Sequence, residues 1–171
     1  MEYQVKTAHG TLFCRREGSG PLLLLIHGVA CDSEFFREAS AILSKKFTVI
    51  SYDRRGYSRS IPAEGETDFS VWAHADDAAE IIGAELKRKH EEEICLEESE
   101  PQMNGAEEQS KVKDGQNTGV FVAGCSAGGA VTAALATKYP ELVRQVFLHE
   151  PLMRGSGELA AEQDAFWEKL Y

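Results

Sequence analysis

The chain has 171 residues, with 18 Lys and Arg against 28 Asp and Glu, a formal net charge of -10 and 43% hydrophobic residues. This is the composition of one soluble, acidic domain with apolar material for a single core. It argues against nucleic acid, which binds basic faces, and against an anionic membrane surface. The longest apolar run, Leu22–Ile26, is far short of the ~18 residues of a membrane helix. Met1–Gln4 opens neither a basic nor an apolar leader, so no signal peptide is expected. Four scattered cysteines (Cys14, Cys31, Cys95, Cys125) form no CxxC pair. That argues against a zinc ribbon or a disulfide framework and for a reducing, cytoplasmic compartment.

In chain order, Glu2–Thr7 alternates polar and apolar residues as a strand does, and Gly10–Arg16 follows as its hairpin partner. Leu22–Ile26 is a short run without polar alternation, the pattern of a strand buried on both faces, and it ends in His27-Gly28. Ser33–Lys46 reads as a helix with Asp32 or Ser33 as N-cap. Phe47–Tyr52 is the next strand, closed by Asp53-Arg54-Arg55-Gly56. Val71–Lys89 carries an apolar stripe of Ala75, Ala78, Ala79, Ile82 and Leu86 and reads as a helix. Val120–Ala123 is a further strand, Ala127–Tyr139 a small-residue helix stopped by Pro140, and Val143–His149 another strand. Strands and helices that alternate in this way indicate an α/β protein with a mostly parallel sheet, helices on both faces and an antiparallel hairpin at one edge.

Two segments stand apart. Residues 91–114 hold nine acids against Lys111 and Lys113, so most of the net charge is local. With few large apolar residues, 90–117 is expected to be an acidic, flexible insertion. Residues 155–171 begin with Gly155-Ser156-Gly157 and continue into an expected amphipathic helix, Leu159–Leu170, with Phe166 and Trp167.

The chemistry concentrates at Gly124-Cys125-Ser126-Ala127-Gly128. It fits G-x-S-x-G between a strand and a helix, where a sharp turn lifts a serine hydroxyl off the sheet and needs small neighbours to close. The other reading of a Gly-rich strand–helix turn is a phosphate or dinucleotide site, but neither G-x-G-x-x-G nor G-x-x-x-x-G-K-[ST] is present. No metal-ligand spacing such as H-E-x-x-H occurs, and serine chemistry needs no cofactor.

Here the sequence resembles the α/β-hydrolase fold family. Leu22–Val29 is similar to the family's third strand and oxyanion loop, Tyr52–Ser60 to its D-x-R-G-x-[GS]-x-S turn, and Val143–Pro151 to its sixth strand. The resemblance implies a serine hydrolase acting on a small acyl substrate, esterase-like, with Ser126 as nucleophile and the Val29 and Ala127 N–H groups as oxyanion donors. It implies support for that motif from His27, Gly28, Gly124 and Gly128, and turn-stabilising charges at Asp53 and Arg55. Glu150 stands where some members carry the triad acid. The 155–171 segment matches the start of a cap.

A serine also needs a base, usually a histidine oriented by a carboxylate, in the order Ser, acid, His. Of the five histidines only His149 follows Ser126, and it ends a strand. The family's strands seven and eight, and the histidine after them, have no counterpart here. The chain therefore reads as a single partial domain over 1–171 with strands one to six, its sixth strand an exposed edge that a dimer mate or partner chain would cover. The alternative to a serine hydrolase is an inactive remnant that serves as a binding or interaction module.

Overall fold

In the computed structural model, which describes residues 1–99 and 119–152, the chain forms seven strands: β1 (Glu2–Thr7), β2 (Gly10–Glu17), β3 (Leu22–Ile26), β4 (Thr48–Tyr52), β5 (Ile61–Pro62), β6 (Val120–Cys125) and β7 (Val143–His149). The α-helices are α1 (Arg37–Leu43), α2 (Val71–Ser99) and α3 (Ala127–Lys138). The strands join one sheet in the order β1-β2-β4-β3-β6-β7, with β5 paired to β2. β3 lies parallel to both β4 and β6, and β7 parallel to β6. The β1–β2 hairpin is antiparallel and closes the other edge. This is the expected α/β architecture, with the two-residue β5 as an unanticipated addition. The strand expected as the sixth is therefore β7.

The alternation of side chains along β3 sorts its five apolar residues onto two faces. Leu22, Leu24 and Ile26 join Ile50, Tyr52, Val120 and Val122 in the larger core, which α2 closes with Ala75, Ala78, Ile81 and Ile82 and α3 with Val131, Ala134 and Leu135. On the opposite face Leu23, Leu25 and Val49 form a small cluster under Phe36, Leu43 and Phe47 beside α1. That face is only part covered. An apolar groove of about 430 Å³ runs from Leu43 and Phe47 across Phe121 to Val146 and Phe147. β7 is the outermost strand among the described residues, and its Phe147 is 66% exposed.

Two expected elements need correction. The helix over Ser33–Lys46 is divided: Asp32 caps a 3-10 turn at Ser33–Phe36, its carboxylate accepting the Glu34 N–H at 2.9 Å, and α1 follows from Arg37 only to Leu43. The helix expected to stop at Lys89 runs on to Ser99, so the acidic stretch begins inside α2. Glutamate is a good helix former. Ion pairs tie the extension down: Lys87 to Glu91 at 3.9 Å, and Arg16 of β2 to Glu92 at 2.9 Å. Residues 100–117 of the expected insertion and the expected helix within 155–171 lie outside the described residues. Among the described residues no helix is long and apolar enough to cross a membrane.

Candidate active site

β6 and α3 meet at Ser126, whose backbone is held at φ 53° and ψ -122°. A non-glycine residue in this region stores about 1–3 kcal/mol of strain and persists only where its surroundings fix it. They do so here through the backbone. The Ser126 N–H donates to the His149 carbonyl at 3.0 Å, and the Ser126 carbonyl accepts from the Gly129 and Leu152 N–H groups at 2.9 Å each. The loop after β7 is thus stitched to the elbow.

The flanking glycines make room for this turn. A Cβ at Gly124 would overlap the Gly128 carbonyl and Thr132 Oγ1, and one at Gly128 would overlap the Ile26 carbonyl of β3. Gly28, in the loop after β3, faces the serine itself: a Cβ there would stand 3.1 Å from Ser126 Cβ and 3.7 Å from Oγ. The structure therefore brings Ser126, Gly28, Gly124 and Gly128 together at the β6–α3 junction.

His27 anchors the loop from beneath. It is fully buried, and burial pushes its pKa down to about 4, so the ring is neutral at physiological pH. Nε2 accepts the Arg54 backbone N–H at 2.9 Å, which leaves Nδ1 to donate to the Gly28 carbonyl at 2.7 Å. With both nitrogens engaged the imidazole shapes the loop and has no capacity for proton transfer. Arg54 Nη2 donates to that same Gly28 carbonyl at 2.9 Å. Val29 and Ala127, the expected oxyanion pair, line one open recess of about 470 Å³ together with Arg54, Tyr57 and His74.

The turn after β4 is a closed charge network. Asp53 is fully buried and accepts from the Ser33 and Arg59 N–H groups at 2.9 and 3.1 Å and from Arg59 Nε at 2.7 Å. Arg55, equally buried, grips Asp77 of α2 with Nε at 2.9 Å and Nη2 at 2.7 Å, and meets Glu66 at 3.2 Å. Asp53 holds the turn against the 3-10 turn at Ser33–Phe36, and Arg55 holds it against α2.

The remaining candidates fall around the rim. Glu150 is exposed, with a left-handed backbone at φ 45°, on the loop that binds the elbow. The His149 imidazole turns toward Cys125, with Nδ1 at 3.6 Å from Sγ. His9 pairs with Glu66 at 2.7 Å, His90 lies on α2 at the opposite end of the sheet beside Lys89 and Arg144, and His74 is buried in the recess wall. No histidine ring hydrogen-bonds Ser126 Oγ among the described residues. Nor do the described residues group three or more His, Cys, Asp or Glu as a metal would need. Sequence reasoning missed Arg54 and His74 as recess residues. Arg54 carried one weak signal, a second arginine beside the one that the turn motif uses.

Comparisons with known proteins bear on the fold and family. The profile of the alpha/beta hydrolase fold matches residues 21–90, the stretch from β3 through most of α2. An uncharacterized hydrolase, YraK, of Bacillus subtilis (strain 168) is 31% identical over 157 residues, covering 90% of this chain and 46% of that protein. The 2-(acetamidomethylene)succinate hydrolase of Mesorhizobium japonicum is 32% identical over 136 residues, covering 80% of this chain and 37% of that protein. The crystal structure of E-2-(acetamidomethylene)succinate hydrolase superposes with a TM-score of 0.62 at 29% identity, over 85% of this chain and 42% of that one. A putative lipase of Acinetobacter baumannii AYE shares the fold at a TM-score of 0.70 and 20% identity. The chain spans less than half the length of these curated relatives. With its parallel strands, its elbow and these relatives, the chain belongs to the α/β-hydrolase fold family.

Proposed function

We propose that the chain carries the nucleophile half of a serine acyl hydrolase. The observation that supports this best is the strained, left-handed Ser126 at the β6–α3 junction, with Gly28 packed against its hydroxyl. In this reading Ser126 Oγ attacks the carbonyl of a carboxylic ester or related acyl compound. The Oγ–C bond forms, the hydroxyl proton passes to a base, and the developing oxyanion is met by the Val29 and Ala127 N–H groups. The leaving group departs with a proton, and water then releases the acid. Glu150 is the chain's candidate for the carboxylate that orients the base. The relative named for hydrolysis of 2-(acetamidomethylene)succinate supports the reaction class.

The experiment is labelling with a fluorophosphonate. Modification at Ser126, lost in Ser126→Ala, is the expected result; labelling that persists in Ser126→Ala overturns the assignment. A second reading has its own observation: no histidine of this chain hydrogen-bonds Ser126 Oγ among the described residues. The chain would then be a non-catalytic binding module. Ester turnover by the 171-residue chain that disappears in Ser126→Ala excludes that reading. Removing a triad member still leaves roughly 10³–10⁴-fold acceleration over water in a well-formed site, so the turnover measurement is informative even at low rate.

A further inference from the structure

The recess beside the elbow contains a buried cation with no counter-ion among the described residues. Arg54 is only 3% exposed. Each neighbouring arginine of the turn has a carboxylate, Arg55 in Asp77 and Arg59 in Asp53, both at 2.7 Å. Arg54 has none within 4.0 Å among the described residues. Its guanidinium donates once, to the Gly28 carbonyl at 2.9 Å, and lies 4.3 Å from the centre of the Tyr57 ring. Its Nε is buried and unpartnered. His74 stands in the same wall, 4% exposed, with Nδ1 buried and without a hydrogen bond among the described residues, 3.9 Å from the Asp77 carboxylate. Burial and then the charges of Arg54 and Arg55 hold its pKa down to about 3, so it adds no charge of its own. The third contributor is the N-terminus of α3, which starts at Ala127 on the recess and carries no acidic residue in its first turn and no side-chain cap.

A buried charge is normally paired, because desolvation is costly unless a partner offsets it. An aromatic face and one carbonyl offset part of that cost. The balance is an unfilled requirement for one negative charge, next to the carbonyl-binding position. Arg55 also lines the recess, but its charge is answered by Asp77 and Glu66, and the other walls, Val29, Phe69 and Val71, are apolar. One unanswered cation in such a recess matches a singly charged carboxylate, whose two oxygens fit the guanidinium fork, better than a phosphate dianion.

We infer that this recess binds a carboxylate, and that the acyl substrate is therefore a half-ester or half-amide of a dicarboxylic acid, anchored by Arg54 with its scissile carbonyl at Ser126. The acyl part of this statement rests on the nucleophile assignment above; the carboxylate part does not. Arg54 also ties the two together mechanically, since the carbonyl that it holds belongs to Gly28, the residue facing the serine hydroxyl.

The test uses the whole chain and two small probes that differ by one charge, monomethyl succinate and dimethyl succinate. Titration calorimetry should show the monoanion binding about tenfold or more tightly, the value of one charge-assisted hydrogen bond set. Arg54→Gln should abolish that preference. Because the substitution also releases the Gly28 carbonyl, the Arg54 side-chain Nε resonance of the unsubstituted protein provides a second readout, and it should move with the half-ester and stay still with the diester. Equal binding of the two esters, no binding of the half-ester, tighter binding of inorganic phosphate, or an unmoved Nε signal each overturns the inference. Fluorophosphonate labelling separates the two claims. If Ser126 is not labelled while the half-ester still moves the Arg54 signal, the carboxylate site stands and the nucleophile assignment falls. If Ser126 is labelled and the esters bind alike, the reverse holds.

Discussion

Arg54 and Arg55 are adjacent in sequence and both buried, yet they serve two different regions. Arg55 faces the N-terminal turn of α2, where Asp77, Glu66 and backbone carbonyls satisfy it. Arg54 faces the recess beside the elbow, where one carbonyl and one aromatic ring are its company. The first region is saturated and behaves as a fastener. The second is left short of a negative charge at the position where a ligand would arrive. In a core, a charge that is fully answered from within builds the fold, while one left unanswered marks the place where the fold expects something from outside.

The largest test of that contrast is Asp77→Ala. Removing one member of a buried pair costs about 3–5 kcal/mol when the other charge is left alone; Glu66 and two carbonyls still meet Arg55, so a loss toward the lower end, about 3 kcal/mol, and a clear fall in the urea midpoint are expected. A loss below about 1 kcal/mol would erase the distinction between the two arginines. The acid limb comes next. His27 and His74, with pKa values pushed down by burial to about 4 and about 3, stay neutral in the fold while the unfolded chain protonates near pH 6.5. The unfolded state then binds more protons, so stability should fall as pH drops from about 6.5 toward 4. The slope is at most about 1.4 kcal/mol per pH unit for each histidine. Urea melts at pH 7, 6, 5 and 4.5 measure it, and His74→Phe should flatten the slope. Arg54→Gln should cost only about 1 kcal/mol, the net worth of its single hydrogen bond, far less than Asp77→Ala in the same assay. The smallest effect belongs to the outer strand. Phe147→Lys should leave stability within about 0.5 kcal/mol, yet reduce self-association in sedimentation, since charge on an edge strand discourages pairing.

The fold was legible where one physical requirement dominates the residue choice. Leu22–Ile26 allows hardly anything except a doubly buried strand, and Gly124–Gly128 hardly anything except a tight strand–helix turn. The misreadings came where sequence is ambiguous. Glu91–Glu93 fit a solvated helix as well as a loop, and what decides is Arg16, far away on β2, reaching Glu85 and Glu92. The candidate site was half legible. The elbow and the His27-Gly28 loop announce themselves by spacing. Arg54 and His74 come together only because α2 packs across the turn, and no local pattern records that an arginine lacks an acid.

The central place of β3 also has a consequence for how the chain folds. One edge of Leu22–Ile26 is filled by β4, which arrives after a short crossover, but the other waits for β6, where Leu23 meets Phe121 and Leu25 meets Ala123. Until β6 is made, five uncharged apolar residues with an open backbone edge have no partner on that side. Such a segment is prone to pair with the wrong strand. The strand that presents Ser126 is therefore also the one that covers this apolar edge, and the soluble yield of chains interrupted before Val120 should fall accordingly.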